Sequence, residues 1–285
     1  MKLPPFDYAC PATLAEAVAL LASHGDAKPI AGGQSLMPML AFRMASPTLL
    51  VDLRKLPDLN RISIADDGVQ LGAMVRWRDI EDDVRLRAAH PPLAAAIAHV
   101  AHYQIRNRGT VGGSLAHADP AAEMPGVALT CDAEIAVTGA AGRRVIPARD
   151  FFLGPLTTAL APDEIIVEVR LPAWPARRRW GFQEFSRRRG DFALAGVALF
   201  YDEDADGKAV NAHAGAIGVA DTPVRLTGVE QALNGCAVNE ATIAAAARAA
   251  SADVDPPDDI HANAAYRRAL VGTLTERALI ASAAI

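Results

Sequence analysis

The chain has few cysteines, few aromatic residues and only a small surplus of acidic over basic charge. Cys10, Cys131 and Cys236 are the three cysteines in 285 residues, and no two of them form a CxxC pair. Disulfide frameworks belong mainly to small exported chains. An iron–sulfur cluster normally takes four thiolates, and a structural zinc site needs closely spaced Cys or His ligands. In a chain this large and without an export signal a disulfide framework is not expected, and neither metal site is available from the cysteines present, so a metal cluster of the chain's own is not expected. With 28 basic and 33 acidic residues the formal net charge is −5. That balance gives no field to gather nucleic acid or anionic lipid. The apolar stretches are Ala-rich and broken by charges, and none reaches the roughly 18 residues of a membrane span. Between Met1 and Pro11 there is no apolar run of signal-peptide length, and Pro4, Pro5 and Asp7 interrupt it. A cytoplasmic protein without nucleic-acid partners or membrane insertion is the expectation.

What is present is an ordinary globular mixture, 51% hydrophobic and 21% charged. At this length a single core is near its practical limit, which favours two domains. Thr13-Leu14-Ala15-Glu16 has the capping-box pattern, followed by an apolar run to His24, and predicts a helix. Pro29-Ile30-Ala31 reads as a short extended piece entering a turn at Gly32-Gly33, with a helix over 34–44 that tolerates Pro38 in its first turn. Leu49 to Leu53 reads as a buried strand. Ile62-Ser63-Ile64, Asp66-Asp67-Gly68 and Val69-Gln70-Leu71 read as a hairpin. Helical patterns return over 77–84 and 93–102. A second glycine-rich loop is expected over 109–114, then an Ala-rich segment over 121–129 and strands over 134–138, 144–147 and 164–171.

Pro172-Ala173-Trp174-Pro175 and the three arginines after it read as a linker, which places a domain boundary between 1–175 and 176–285. Strands follow over 180–185, 193–201 and 211–219, and helices over 223–233, 240–251 and 264–284. The first part mixes strand and helix; the second runs strands, then helices.

Adjacent glycines let the backbone turn through positive φ and bring amide N–H groups close to a ligand, and such concave turns bind pyrophosphate without a lysine. By itself the pattern is uninformative. Scattered at random, 21 glycines in 285 residues give about 1.5 adjacent pairs, and the chain has two. No GxGxxG follows the first strand, and Walker A, HExxH and GxSxG patterns are absent. The context of the pairs has to decide.

That context resembles a known family. Pro29-Ile30-Ala31-Gly32-Gly33-Gln34-Ser35-Leu36-Met37-Pro38 is similar to the first flavin loop of the medium subunit of carbon monoxide dehydrogenase and related molybdenum hydroxylases. The run from Ile105 through Arg106-Asn107-Arg108-Gly109-Thr110-Val111-Gly112-Gly113-Ser114 to Pro120 resembles the second. Asp163-Glu164-Ile165-Ile166 and Gly190-Asp191-Phe192-Ala193 fit the same family, and the resemblance covers nearly the whole chain.

It implies an α+β chain: a two-part α/β FAD-binding domain of vanillyl-alcohol-oxidase (PCMH) type, then a C-terminal antiparallel sheet with helices. It implies FAD held by the backbone amides of Ala31–Ser35 and Thr110–Ser114, with Ser35 and Thr110 hydroxyls as further donors. Pro29, Ile30, Leu36 and Val111 complete the two motifs. Glu123 falls where relatives usually have an Asp that accepts bonds from flavin or ribose hydroxyls, and Ala101 and Ile166 fall near the adenine or the ring. Two departures stand out: relatives often carry Lys near Glu184 and Tyr at Phe192, where Phe keeps the stacking surface without the hydroxyl.

The resemblance further implies partners: a large molybdopterin-binding subunit and a small subunit with [2Fe-2S] clusters, as a dimer of heterotrimers. Electrons would pass through FAD on this chain to a terminal acceptor, so no catalytic acid, base or nucleophile is nominated. Two alternatives are a stand-alone FAD-dependent oxidoreductase of the same fold and a structural subunit that has lost its flavin. Other residues have two readings each. His117 and Asp119 are an acid–base pair or loop-stabilising groups. Arg177–Arg179 and Arg187–Arg189 grip a partner or are solvated. Trp174 and Trp180 pack at the junction or relay electrons, and Cys131 reads as a buried thiol.

Overall fold

The computed structural model describes residues 2–283. Its first sheet is small and parallel, with Leu49–Asp52 between Asp7–Ala9 and Lys28–Ile30. All four residues of the middle strand are buried, as in a strand covered on both faces. The helix Leu14–Ser23 packs beside it and starts as the sequence predicts. The Glu16 amide donates to the Thr13 hydroxyl at 3.2 Å, and the Glu16 carboxylate accepts from the Ala12 amide at 3.1 Å.

The second sheet has five antiparallel strands in the order Ile62–Ala65, Gly68–Gly72, Ile165–Pro172, Glu134–Gly139 and Gly142–Pro147. The Asp66-Asp67 hairpin closes with Ala65 opposite Gly68, whose φ of +136° only glycine adopts readily. Over this sheet lie the helices Trp77–Asp82, Val84–Ala89, Pro91–Ile97, Val111–His117 and Glu123–Thr130. They bury Leu71, Leu93, Ile97, Leu115 and Met124 in one core.

The third sheet is an antiparallel meander of Arg179–Phe185, Ala195–Glu203, Ala209–Ile217 and Val224–Arg225. Its second strand serves two layers at once. Ala198 and Phe200 join the core of the preceding layer, while Ala195, Val197, Leu199 and Tyr201 join a separate core with the helices Thr227–Leu233, Glu240–Ala252 and Ala264–Ser282. The alternation of side chains along a strand is what allows this double duty. Where the second sheet hands over to the third, the Arg178 guanidinium lies 5.1 Å from the Trp174 ring and 4.4 Å from the Phe200 ring. Its Nε and Nη2 each donate to the Asp202 carboxylate at 2.9 Å. Trp174 and Trp180 pack against the core at this junction.

Several expectations are corrected. The segment over 109–114 is no open loop, because Thr110 caps a helix that already contains Gly112 and Gly113. The helix over 34–44 is shorter, Leu36–Ala41, with Pro38 in its first turn as expected. The helix over 93–102 ends at Ile97 and a short turn of helix, Tyr103–Arg106, follows. The helix over 223–233 begins only at Thr227, because Val224 and Arg225 pair with the strand beside them. Of the last predicted helix, residue Ala284 lies outside the described residues. The short strands Asp7–Ala9, Phe152–Gly154 and Thr157–Thr158 are not expected from the sequence.

Candidate functional site

The two Gly-Gly segments meet. A Cβ at Gly32 would overlap the carbonyl oxygen of Arg108 and come within 2.7 Å of the carbonyl carbon, and one at Gly113 would lie 3.7 Å from the Ala31 Cβ. Beside this junction opens a cleft of about 510 Å³. Along it lie Pro29, Ala31, Gly32, Gly33, Gln34, Ser35 and Leu36 from the first segment, and Thr110, Gly112, Gly113 and Ser114 from the second. Ala101, Glu123, Ile166 and Phe192 also line it. Two expected residues do not. Val111 is fully buried in the core, and Ile30 ends a strand with its side chain beneath Gly33.

The two segments present their donors differently. From Gly32 to Leu36, no backbone amide donates to any atom among the described residues. Gly33 has φ +71°, the left-handed conformation that turns successive amides toward one side, and Gln34 Nε2 donates to the Gly32 carbonyl and stiffens the turn. In the second segment the amides are engaged within the protein. Val111 donates to the Val75 carbonyl at 2.9 Å, Gly112 to Ala73 at 2.8 Å and Ser114 to Thr110 at 3.0 Å. Gly113 donates to the Thr110 hydroxyl at 3.1 Å. What this segment offers the cleft is the Ser114 hydroxyl, the Thr110 amide and a close backbone approach. The role expected for the amides of Val111–Ser114 is therefore corrected. Gly112 is glycine because a Cβ there would come within 2.6 Å of the Ala73 Cβ.

Much of the remaining wall is apolar: Met39, Met74, Val100, Leu160 and Ile165. Sequence reasoning missed these, and nothing distinguishes them in the sequence from core residues. The loop between the first two strands of the third sheet closes the cleft on another side. Gly190, at φ +87°, sits where a Cβ would come within 2.9 Å of the Ala101 carbonyl oxygen, and Phe192 is 69% exposed at the rim. Arg187–Arg189 on this loop are exposed, whereas Arg178 and Arg179 pair with Asp202 and Glu203.

His117 and Asp119 both line the cleft. Asp119 accepts the Ala121 amide at 2.9 Å, a turn-stabilising bond, and burial holds the His117 imidazole below its usual pKa. Cys131 is buried, and desolvation pushes its thiol up to about 12. Among the described residues no group of three or more His, Cys, Asp or Glu is placed to hold a metal ion.

Glu123 is 8% exposed, and burial, then the charge of Asp119, pushes its carboxyl up to about 7. The Glu184 side chain is 2% exposed. Burial and then the charge of Glu123 push it up to about 8.

Residues 4–174 match the family described as the FAD binding domain in molybdopterin dehydrogenase, and residues 180–282 the CO dehydrogenase flavoprotein C-terminal domain. The chain belongs to this family of FAD-binding molybdenum hydroxylase subunits. It is 41% identical over 284 residues to the nicotine 6-hydroxylase medium subunit of Paenarthrobacter nicotinovorans, covering 100% of this chain and 99% of that one. It is 41% identical over 280 residues to the 6-hydroxypseudooxynicotine dehydrogenase complex subunit alpha of the same organism, covering 98% and 95%. The solved carbon monoxide dehydrogenase of Hydrogenophaga pseudoflava, lacking the Mo-pyranopterin moiety of its cofactor, superposes with a TM-score of 0.96 at 38% identity over 100% of this chain and 99% of that one.

Membership makes FAD the cofactor, and the residues fit it. A dinucleotide diphosphate needs several donors and close backbone approach. The unpartnered amides at 32–36 and the methyl-excluding contact at Gly32 supply both.

Proposed function

We propose that this chain is the FAD-carrying electron-transfer subunit of a molybdenum hydroxylase complex, with residues 1–175 as the flavin domain and 176–285 as the C-terminal domain. The amides of Gly32 to Leu36 hold the diphosphate, each such bond to a charged group contributing on the order of 1.5–3 kcal/mol. The Ser114 hydroxyl and the Thr110 amide meet it from the second segment. Glu123 orients flavin or ribose hydroxyls, and the apolar wall excludes water from the bound cofactor. Once bound, FAD takes up single electrons and gives them up in pairs.

In this reading a small [2Fe-2S] subunit supplies the electrons and a large molybdopterin subunit carries the substrate. The complex is a dimer of heterotrimers, and a terminal acceptor takes the electrons from the flavin. The substrate of the complex is then set on the large subunit. The relatives named above are subunits of complexes, which speaks for this arrangement over a stand-alone oxidoreductase. The free amides speak against a structural subunit without flavin.

The observation that carries the proposal is the contact between the two Gly-Gly segments beside a run of unpartnered amides. The test is direct. The purified chain should carry or take up one FAD, with a flavin absorption band, and bring the [2Fe-2S] and molybdopterin subunits with it from cells expressing the complex. A colourless chain that takes up no added FAD refutes it.

A further inference from the structure

Among the described residues, two carboxyl side chains beside the cleft have no cation paired with them. Glu123 is the first residue of its helix and lines the cleft at 8% exposure. Glu184 is shut in behind it: its Oε2 has no hydrogen-bond partner, and its Oε1 lies 3.9 Å from His99 Nδ1, too far for a hydrogen bond. Ile217 ties their backbones together. A Cβ at Gly126, one helical turn after Glu123, would come within 2.5 Å of the Ile217 Cγ2. A Cβ at Gly196, paired with Glu184 across the strands, would come within 2.8 Å of the Ile217 Cγ1 and 3.5 Å of the Glu184 Cγ. The next residue, Gly218, donates its amide to the Pro120 carbonyl at 2.8 Å.

The other charged groups around the pair do not neutralise it. Asp119 and Asp191 add negative charge along the cleft, and His117 is held neutral by burial. His99, its ring 5.3 Å from that of Phe182 and tilted 55° to it, is depressed by burial and then by Arg189. The Arg267 guanidinium, which donates to the Gly218 and Leu194 carbonyls, is paired with Asp259. Among the described residues no Lys or Arg forms an ion pair with Glu123 or Glu184. Two neighbouring carboxylates with no counter-ion and little water do not both stay ionised.

Resting on FAD as the occupant of the cleft, we propose that Glu123 and Glu184 are a proton-holding pair that shares one proton beside oxidised flavin and takes a second as the flavin gains negative charge. The balance is simple. Two electrons come from an external reductant, one proton goes to the flavin, and one proton from water forms a single new O–H bond on the pair. Glu123 touches the cleft and Glu184 acts through it. The pair thereby offsets charge that the wall around it, with few cations, cannot.

The test is a spectroelectrochemical titration of the flavin-loaded protein between about pH 7 and 8, where carboxyls raised to about 7 and about 8 together hold close to one proton, for wild type, Glu123→Gln and Glu184→Gln. In wild type the equilibrium constant for two-electron reduction should fall about 100-fold per pH unit, roughly 60 mV. In each variant it should fall about tenfold per unit, roughly 30 mV. Glu184→Gln keeps the side-chain shape and lies outside the cleft lining, so it carries the test even if Glu123→Gln binds flavin weakly. Equal slopes in flavin-loaded wild type and Glu184→Gln overturn the proton-holding role and leave the FAD reading intact. A wild-type protein that takes up no flavin overturns both.

Discussion

Gly32 and the carbonyl of Arg108 are in contact with no room for a methyl group between them. Residues far apart in sequence are thereby locked into one rim, and Gly32→Ala must push them apart. We expect this variant to fold, because the clash lies at the cleft rim rather than in a core, and to lose FAD affinity by roughly tenfold or more, the equivalent of about 1.4 kcal/mol. Gly25→Ala is the control, since a Cβ there meets nothing within 4 Å. Equilibrium dialysis with FAD separates the two, and equal affinities would remove the diphosphate from this turn.

The sequence made some of this plain and hid the rest for identifiable reasons. Local chemistry was legible: the Thr13–Glu16 cap, the Asp66-Asp67 hairpin and the buried Leu49–Asp52 strand all follow from patterns within a few residues. Gly112-Gly113 misled because a glycine required for a turn and one required for close packing look alike. Only the fold shows Gly112 pressed against Ala73 inside a helix. Strands of three residues such as Asp7–Ala9 are too short to show a period. Glu184 stood out only as a departure from the Lys that the resemblance implied, and its burial is a non-local fact that no pattern in its own segment reveals.

Thr110 stabilises the fold as well as facing the cleft. Its hydroxyl accepts the Gly113 amide as the cap of helix Val111–His117, and it is 3% exposed. Thr110→Ala should cost about 1 kcal/mol of unfolding free energy, read from the urea midpoint at unchanged slope, whereas Thr110→Ser should cost a few tenths. If alanine and serine behave alike, the loss lies in packing of the methyl group and not in the cap.

Stability of the flavin-free chain should depend on pH through the buried carboxyls. Folding raises Glu123 to about 7 and Glu184 to about 8, above the ordinary 4.5. Between about pH 4.5 and 8 the folded chain therefore holds protons the unfolded chain has released, and their contribution is full below 4.5 and lost as pH rises through 7 to 8. His90 acts in the opposite sense. Burial lowers it from 6.5 to about 3, so its contribution is full above 6.5 and falls away in acid. The difference between the thermal midpoints of Glu184→Gln and wild type isolates the carboxyl term, because His90 is common to both. That difference should grow in favour of the variant from pH 5 to pH 8.5, and a flat difference would mean that Glu184 keeps its ordinary pKa in the fold.

Phe192 offers a probe of where the cofactor lies. It is 69% exposed and yet lines the cleft, on the loop whose Gly190 abuts Ala101. Exposed positions of this kind tolerate substitution within about 0.5 kcal/mol, so Phe192→Trp should fold as wild type does. An indole at the rim would be quenched by a flavin ring beside it, above the baseline set by the native tryptophans, of which Trp77 also lines the cleft. Titration with FAD should therefore quench the variant more deeply than wild type and saturate at one equivalent. If the flavin band shows full occupancy while the added tryptophan stays bright, the ring is bound away from this loop.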